Sequence, residues 1–232
     1  MPLSLVCLVA ISRQVPPAIG GEDDPAAERR PVLNQVVLAA TVIAALTFAV
    51  MIGAFYLAEQ YLQKSAGFSA LGASSVLVLV ALLVGAAAPL SGSLADRSGE
   101  RLPAVAGFLL TAAGLAVLAI PGLSLHSVVT VLPLIPVGLG LGMLFVPASR
   151  AALNANASAS HGRTSSILSM GRLLGAAAGA AFAGIALSGG PTANKVHTTV
   201  LVAAGLCLVV GVPAALRLSP PARRLTDPVT SA

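Results

Sequence analysis

An all-α integral membrane protein, folded as a six-transmembrane-helix bundle, is what this sequence predicts, and three observations predict it. Of 232 residues, 56% are apolar and only 9% are charged, whereas a soluble domain carries about 25% charged residues. Several uncharged stretches are long enough to cross a bilayer core of about 30 Å as helices. The arginines gather in alternate connections between those stretches, as loops on one side of a membrane do. The same composition excludes disorder, which is poor in apolar residues. The 23 glycines and 16 prolines follow no fixed period, so collagen-like and low-complexity chains are excluded too.

The first span is placed at about 34–57, because no charge occurs between Pro31 and Ala58. Lys64 and a Ser/Gly turn follow, and the uncharged run 71–95 makes the second span. The uncharged segment from Leu102 to Ser149 is too long for one helix, and Pro121-Gly122 divides it into spans at about 102–121 and 128–149. A polar connection around His161 leads to the fifth span, about 165–188, and SGGPTANK turns the chain into the sixth, about 196–216. Residues 34–217 thus form the bundle, and 218–232 a cytoplasmic tail.

Ten arginines, including Arg13, Arg97, Arg101, Arg150, Arg163 and Arg217, fall on the side of both termini, against Lys64 and Lys195 on the other. The basic side is cytoplasmic by the positive-inside rule, which puts a multi-pass protein in the cell membrane with both termini inside. The net charge of +5 does not indicate nucleic acid, because the basic residues are scattered and aromatics make up 3%. Cys7 and Cys207 lie at opposite ends in apolar surroundings, and no Cys/His spacing suggests a metal or cofactor. The lipid bilayer is the expected partner.

Inside the spans, Gly138, Gly140 and Gly142 stud the fourth helix, and Gly171, Gly175, Gly179 and Gly184 the fifth. Small residues at such spacing let backbones approach closely in lipid; the same faces serve either plain packing or a rocking motion. Pro89 and Pro147 can bend helices two and four. Deep in the spans there is no Asp or Glu; Glu59 sits at the outer end of helix one beside Gln60. Arg172 is the one charge well within a span. Such a group either faces a cavity or partner or snorkels to the cytoplasmic interface.

The connection Gly92-Ser93-Leu94-Ala95-Asp96-Arg97-Ser98-Gly99-Glu100-Arg101 resembles the G-x-L-A-D-R-x-G-R-R signature of the major facilitator superfamily, with Glu100 in place of a basic residue. On its own chemistry, Gly92 allows close helix approach, Asp96 can receive an arginine or cap a helix, and Gly99 permits a tight turn. YLAEQYLQKSAGFSALGAS, LPLIPVGLGLGMLFVPASRAAL and the stretch Ser169 to Gly175 are similar to segments of the fourteen-span drug:proton antiporters. In the last of these Arg172 and Gly175 match, while Ser169 and Leu173 replace polar residues. The resemblance implies the C-terminal six-helix half of such a transporter. It also implies that residues 1–33 hold the end of a preceding span and a cytoplasmic linker.

The expected function is therefore a major facilitator-type transporter, proton-coupled and exporting small amphipathic compounds, present as a C-terminal half or fragment. Its partner would be a missing N-terminal half, a second copy or another subunit. The alternative is a non-transporting six-span scaffold or partner subunit. An enzyme would need a cluster of nucleophile, His and carboxylate at one membrane depth, and His126, His161 and His197 do not supply it. The candidate loop residues are Gly92, Asp96, Arg97, Gly99 and Arg101. The candidate transport-path or gating residues are Arg172, Gly175, Gly138, Gly142, Glu59 and Gln60.

Overall fold

In a computed structural model of the chain, the structure describes residues 34–64, 69–120, 132–156, 161–190 and 192–218. The expected end of a preceding span, Cys7, the Pro121-Gly122 break, His126 and the C-terminal tail lie outside them. The described residues form helices and connections without a strand. The helices are α1 (Gln35–Lys64), α2 (Ala70–Ser98), α3 (Arg101–Leu118), α4 (Leu134–Asn154), α5 (His161–Ala186) and α6 (Ala193–Leu206). The sixth continues through a wide turn, Cys207–Gly211, into α7 (Val212–Leu216). Six of these segments, the last running Asn194–Leu216, are long and apolar enough to cross a membrane.

Local chemistry places the ends. Asn34 caps α1, its side-chain oxygen accepting from the Val37 amide at 2.8 Å, and Ser69 caps α2 by accepting from Gly72 at 3.2 Å. Helix α4 begins at Leu134, later than the expected 128, with Pro133 at its cap and Pro136 in its first turn. Amides in that turn have no helical acceptor, so a missing N–H does no harm there. Helix α5 begins at His161, ahead of the expected 165. In α7 the ring of Pro213 offers no N–H to the Val209 carbonyl. The chain widens directly before it, with the Val212 amide bonding the Cys207 carbonyl.

The helices pair in a regular way. Helix α1 packs chiefly on α5, and α4 chiefly on α2 and α3, with α4 also against α1 and α3 against α6. Exchanging the first three helices for the last three turns the α1–α5 pair into the α4–α2 pair, the relation expected of internal three-helix repeats. The core is mostly aliphatic, built on Ala40, Ile43, Leu115, Leu141 and Leu144 around the buried ring of Phe108. Helix α4 is the most buried span and α2 the least. Large apolar side chains such as Leu71, Leu82, Leu173 and Ile185 point outward, as a lipid-facing surface requires.

Two glycine seams hold the pairs. On α5, a Cβ at Gly171 would fall 2.6 Å from the Thr41 methyl, and one at Gly175 or Gly179 would run into the carbonyl of Ala45 or Ala49. On α4, a Cβ at Gly138 would fall 2.9 Å from Leu83 Cβ, and one at Gly142 would strike the Val84 carbonyl. Gly140 faces α3 instead, against Thr111 and Gly107. Without a hydrophobic effect between helices in lipid, such backbone-to-backbone contact is what holds them together.

Candidate functional site

The arginine-rich end of the bundle is organised by the last turns of α4. Asp96, near the end of α2, accepts a hydrogen bond from Arg150 at 2.6 Å, and the two form an ion pair. Of the two roles open to Asp96, reception of an arginine is the one seen. Gly99 then turns the chain with φ at 78°, its amide bonding the Ala95 carbonyl at 2.9 Å; a side chain would strain that conformation. Glu100 accepts from the Asn154 side chain at 3.2 Å, so an acidic residue at this position makes a contact of its own with α4. Arg97 and Arg101 are exposed.

The same end of α4 reaches α1 and α5. The Asn34 side chain donates to the Ala155 carbonyl at 3.1 Å, and Asn156 donates to the Thr164 hydroxyl at 2.8 Å. The turns from Ser149 to Asn156 thus contact α2, the α2–α3 connection, α1 and α5. From the sequence, Arg150 is only one more arginine on the basic side. The signal for its role is its place one turn before the end of a glycine-rich helix, opposite an aspartate loop.

The expected close approach at Gly92 is not made: a Cβ there would meet nothing within 4 Å among the described residues. The reason is that α2 meets α4 through the turns around Leu83, Val84 and Ala87, whereas Gly92 sits off that seam. Glu59 is exposed and accepts from Gln63 at 3.3 Å. With Gln60 it lies eleven or twelve residues along α1 from Phe48, a rise of about 16–18 Å. The structure does not bring this pair to the other candidate, Arg172.

Arg172 turns inward. Its guanidinium donates to the Ser149 hydroxyl at 2.7 Å, and the Ser149 hydroxyl in turn donates a hydrogen bond to the Phe145 carbonyl at 3.0 Å. The guanidinium carbon lies 5.8 Å from the centre of the Phe48 ring, within cation–π range. Phe48 and Phe145 meet at 5.4 Å with a 60° tilt between their rings. Arg172, Phe48 and Phe145, together with Thr47, Leu144 and Ala148, line a small cleft between α1, α4 and α5. Helix α5 begins at His161, so Arg172 stands eleven residues, or about 16 Å, along the helix.

These features are a six-helix bundle, an aspartate–arginine pair at the second connection and glycine seams between exchanged helix pairs. The family model of the Major Facilitator Superfamily matches residues 1–154 and also residues 40–231. The chain belongs to the Major Facilitator Superfamily. The two ranges share residues 40–154, which hold most of α1 and all of α2, α3 and α4. This major facilitator chain is a multi-pass membrane protein of a transporter family, so a bilayer and small-molecule substrates are its natural surroundings. No curated protein matches it.

Proposed function

We propose that this chain is the C-terminal half, or a fragment, of a transporter like the fourteen-span drug:proton antiporters, carrying small amphipathic compounds out of the cell without chemical change. Its basic end faces the cytoplasm of the cell membrane, and an N-terminal half, a second copy or another subunit completes the path. The observation that carries the reading is the Asp96–Arg150 ion pair. It ties the signature connection to α4, the helix with contacts to α1, α2, α3 and α5. A change of tilt in α4 therefore makes or breaks a contact at the cytoplasmic mouth.

Within this reading, Gly92, Asp96, Arg97, Gly99 and Arg101 form the cytoplasmic gate region. Gly138, Gly142 and Gly175 keep helix pairs together as they rock, and Arg172 faces the path. Glu59 and Gln60 mark its outer end. Proton coupling draws its support from the resemblance, since the described carboxylates Glu59, Asp96 and Glu100 all stand at helix ends.

The test is uptake of a fluorescent amphipathic compound into everted membrane vesicles carrying the transporter that contains this bundle. Uptake should follow an imposed proton gradient and collapse with an uncoupler. Uptake indifferent to the uncoupler rejects proton coupling, and no uptake at all rejects the export reading.

A further inference from the structure

The cleft under Arg172 is lined by residues near the middle of three helices. Helix α5 runs from His161 to Ala186, so Arg172 stands within two residues, about 3 Å, of its middle. Thr47 and Phe48 are the central residues of the α1 span Gln35–Gln60, and Leu144 is the central residue of α4. Three helices thus contribute their midpoints to one cleft, with a cation in its wall.

Among the described residues that cation has no counter-charge. A guanidinium has five N–H donors, and among the described residues Ser149 is the one hydrogen-bond partner of Arg172. The three described carboxylates are engaged elsewhere, Asp96 with Arg150, Glu100 with Asn154 and Glu59 with Gln63. An unpaired arginine at membrane depth is costly and takes a partner. Its planar fork fits a carboxylate in two parallel hydrogen bonds. Beside it lie the half-buried Phe48 and Phe145 rings, a surface suited to an apolar body.

We propose that Arg172, Phe48 and Phe145 form half of a binding site for an amphipathic organic acid, its carboxylate on Arg172 and its apolar part on the two rings. The inference rests on the transport-path reading of Arg172 and names the substrate class for it. A lipophilic cation would meet a like charge at this point and bind less well.

The test uses the full chain in phosphatidylcholine nanodiscs, with labelled 1-naphthaleneacetate as probe and its neutral amide and 1-naphthylethylamine as comparisons. The acid should bind about tenfold or more tightly than the amide, the size of one charge-assisted hydrogen bond, and the amine weakest of all. Arg172→Gln should remove the preference for the acid, and Arg172→Lys should keep much of it. Equal binding of acid, amide and amine by the unaltered chain overturns the proposal, even if Arg172→Gln fails to fold. So does the absence of binding of all three.

Two further arms identify the source of the anion. Displacement of the acid by phosphatidylglycerol in the nanodiscs would give the site to a lipid headgroup and overturn the proposal. Loss of acid binding in the complete transporter would give Arg172 to a protein carboxylate, with the same consequence. Acid binding that depends on Arg172 without gradient-driven transport would leave this inference standing and reject the export reading. Transport with no preference for the acid would do the reverse.

Discussion

The Ser91 hydroxyl on α2 donates at 2.7 Å to the Met143 carbonyl on α4, the carbonyl that Pro147, four residues on, leaves without a helical donor. Proline has no N–H, and its ring pushes that carbonyl aside. Ser91 is fully buried, and its hydroxyl replaces the missing backbone bond from a neighbouring helix. Transmembrane helices tolerate proline where a neighbour re-satisfies the freed group. Here that repair also joins α2 to α4 beside the Gly138 and Gly142 seam.

Ser91→Ala should therefore destabilise the bundle by about 1–3 kcal/mol, the cost of leaving a buried acceptor unmade. In a Pro147→Ala background the loss should shrink, since an alanine amide at 147 can bond Met143 directly. The pair forms a double-mutant cycle, read by thermal unfolding in detergent. Equal losses in both backgrounds would show that Ser91 acts through packing alone.

Gly175→Ala should destabilise by about 1–3 kcal/mol, because overpacking moves backbone and the new methyl would meet the Ala45 carbonyl. Gly184→Ala, nine residues along the same helix, meets nothing within 4 Å. It should be neutral or stabilising by up to about 1 kcal/mol from helix propensity. Unfolding temperatures of the two variants side by side check the contrast.

Asp96→Asn should change stability by less than about 1 kcal/mol, as exposed ion pairs do, and should lower transport by the complete transporter. Arg150→Gln should behave in the same way. Transport equal to the unaltered protein at matched expression would make the pair a surface contact without a role in gating.

Orientation is tested by single cysteines at Ser98 and Asn194 in a background without Cys7 and Cys207. An impermeant thiol reagent applied to intact cells should label Asn194→Cys and spare Ser98→Cys. Labelling of Ser98→Cys from outside would reverse the placement of the basic end.

On the proposed reading, the six helices supply one wall of a path between two six-helix halves. The chain reconstituted by itself at low protein-to-lipid ratio should bind without moving its ligand across the membrane. Gradient-driven efflux by demonstrably monomeric protein would reject the need for a partner.

Much of this molecule is legible along one strand of text. The membrane class and the six spans depend on local composition and run length, because a bilayer selects for apolar stretches of a set size whatever their neighbours. The motif around Asp96 is likewise contiguous. The tertiary structure decided which faces meet. Gly92 and Gly142 look alike in sequence, yet one stands open and the other presses on the Val84 carbonyl. Asp96 finds Arg150 across 54 residues, and Ser91 finds Met143 across 52. That Arg172 meets Ser149 and Phe48 follows only from how α5 packs against α1 and α4. In lipid every apolar face is equally welcome, so hydropathy does not distinguish the face that meets a helix from the face that meets an acyl chain. That choice is made by backbone approach and hydrogen bonds between distant residues.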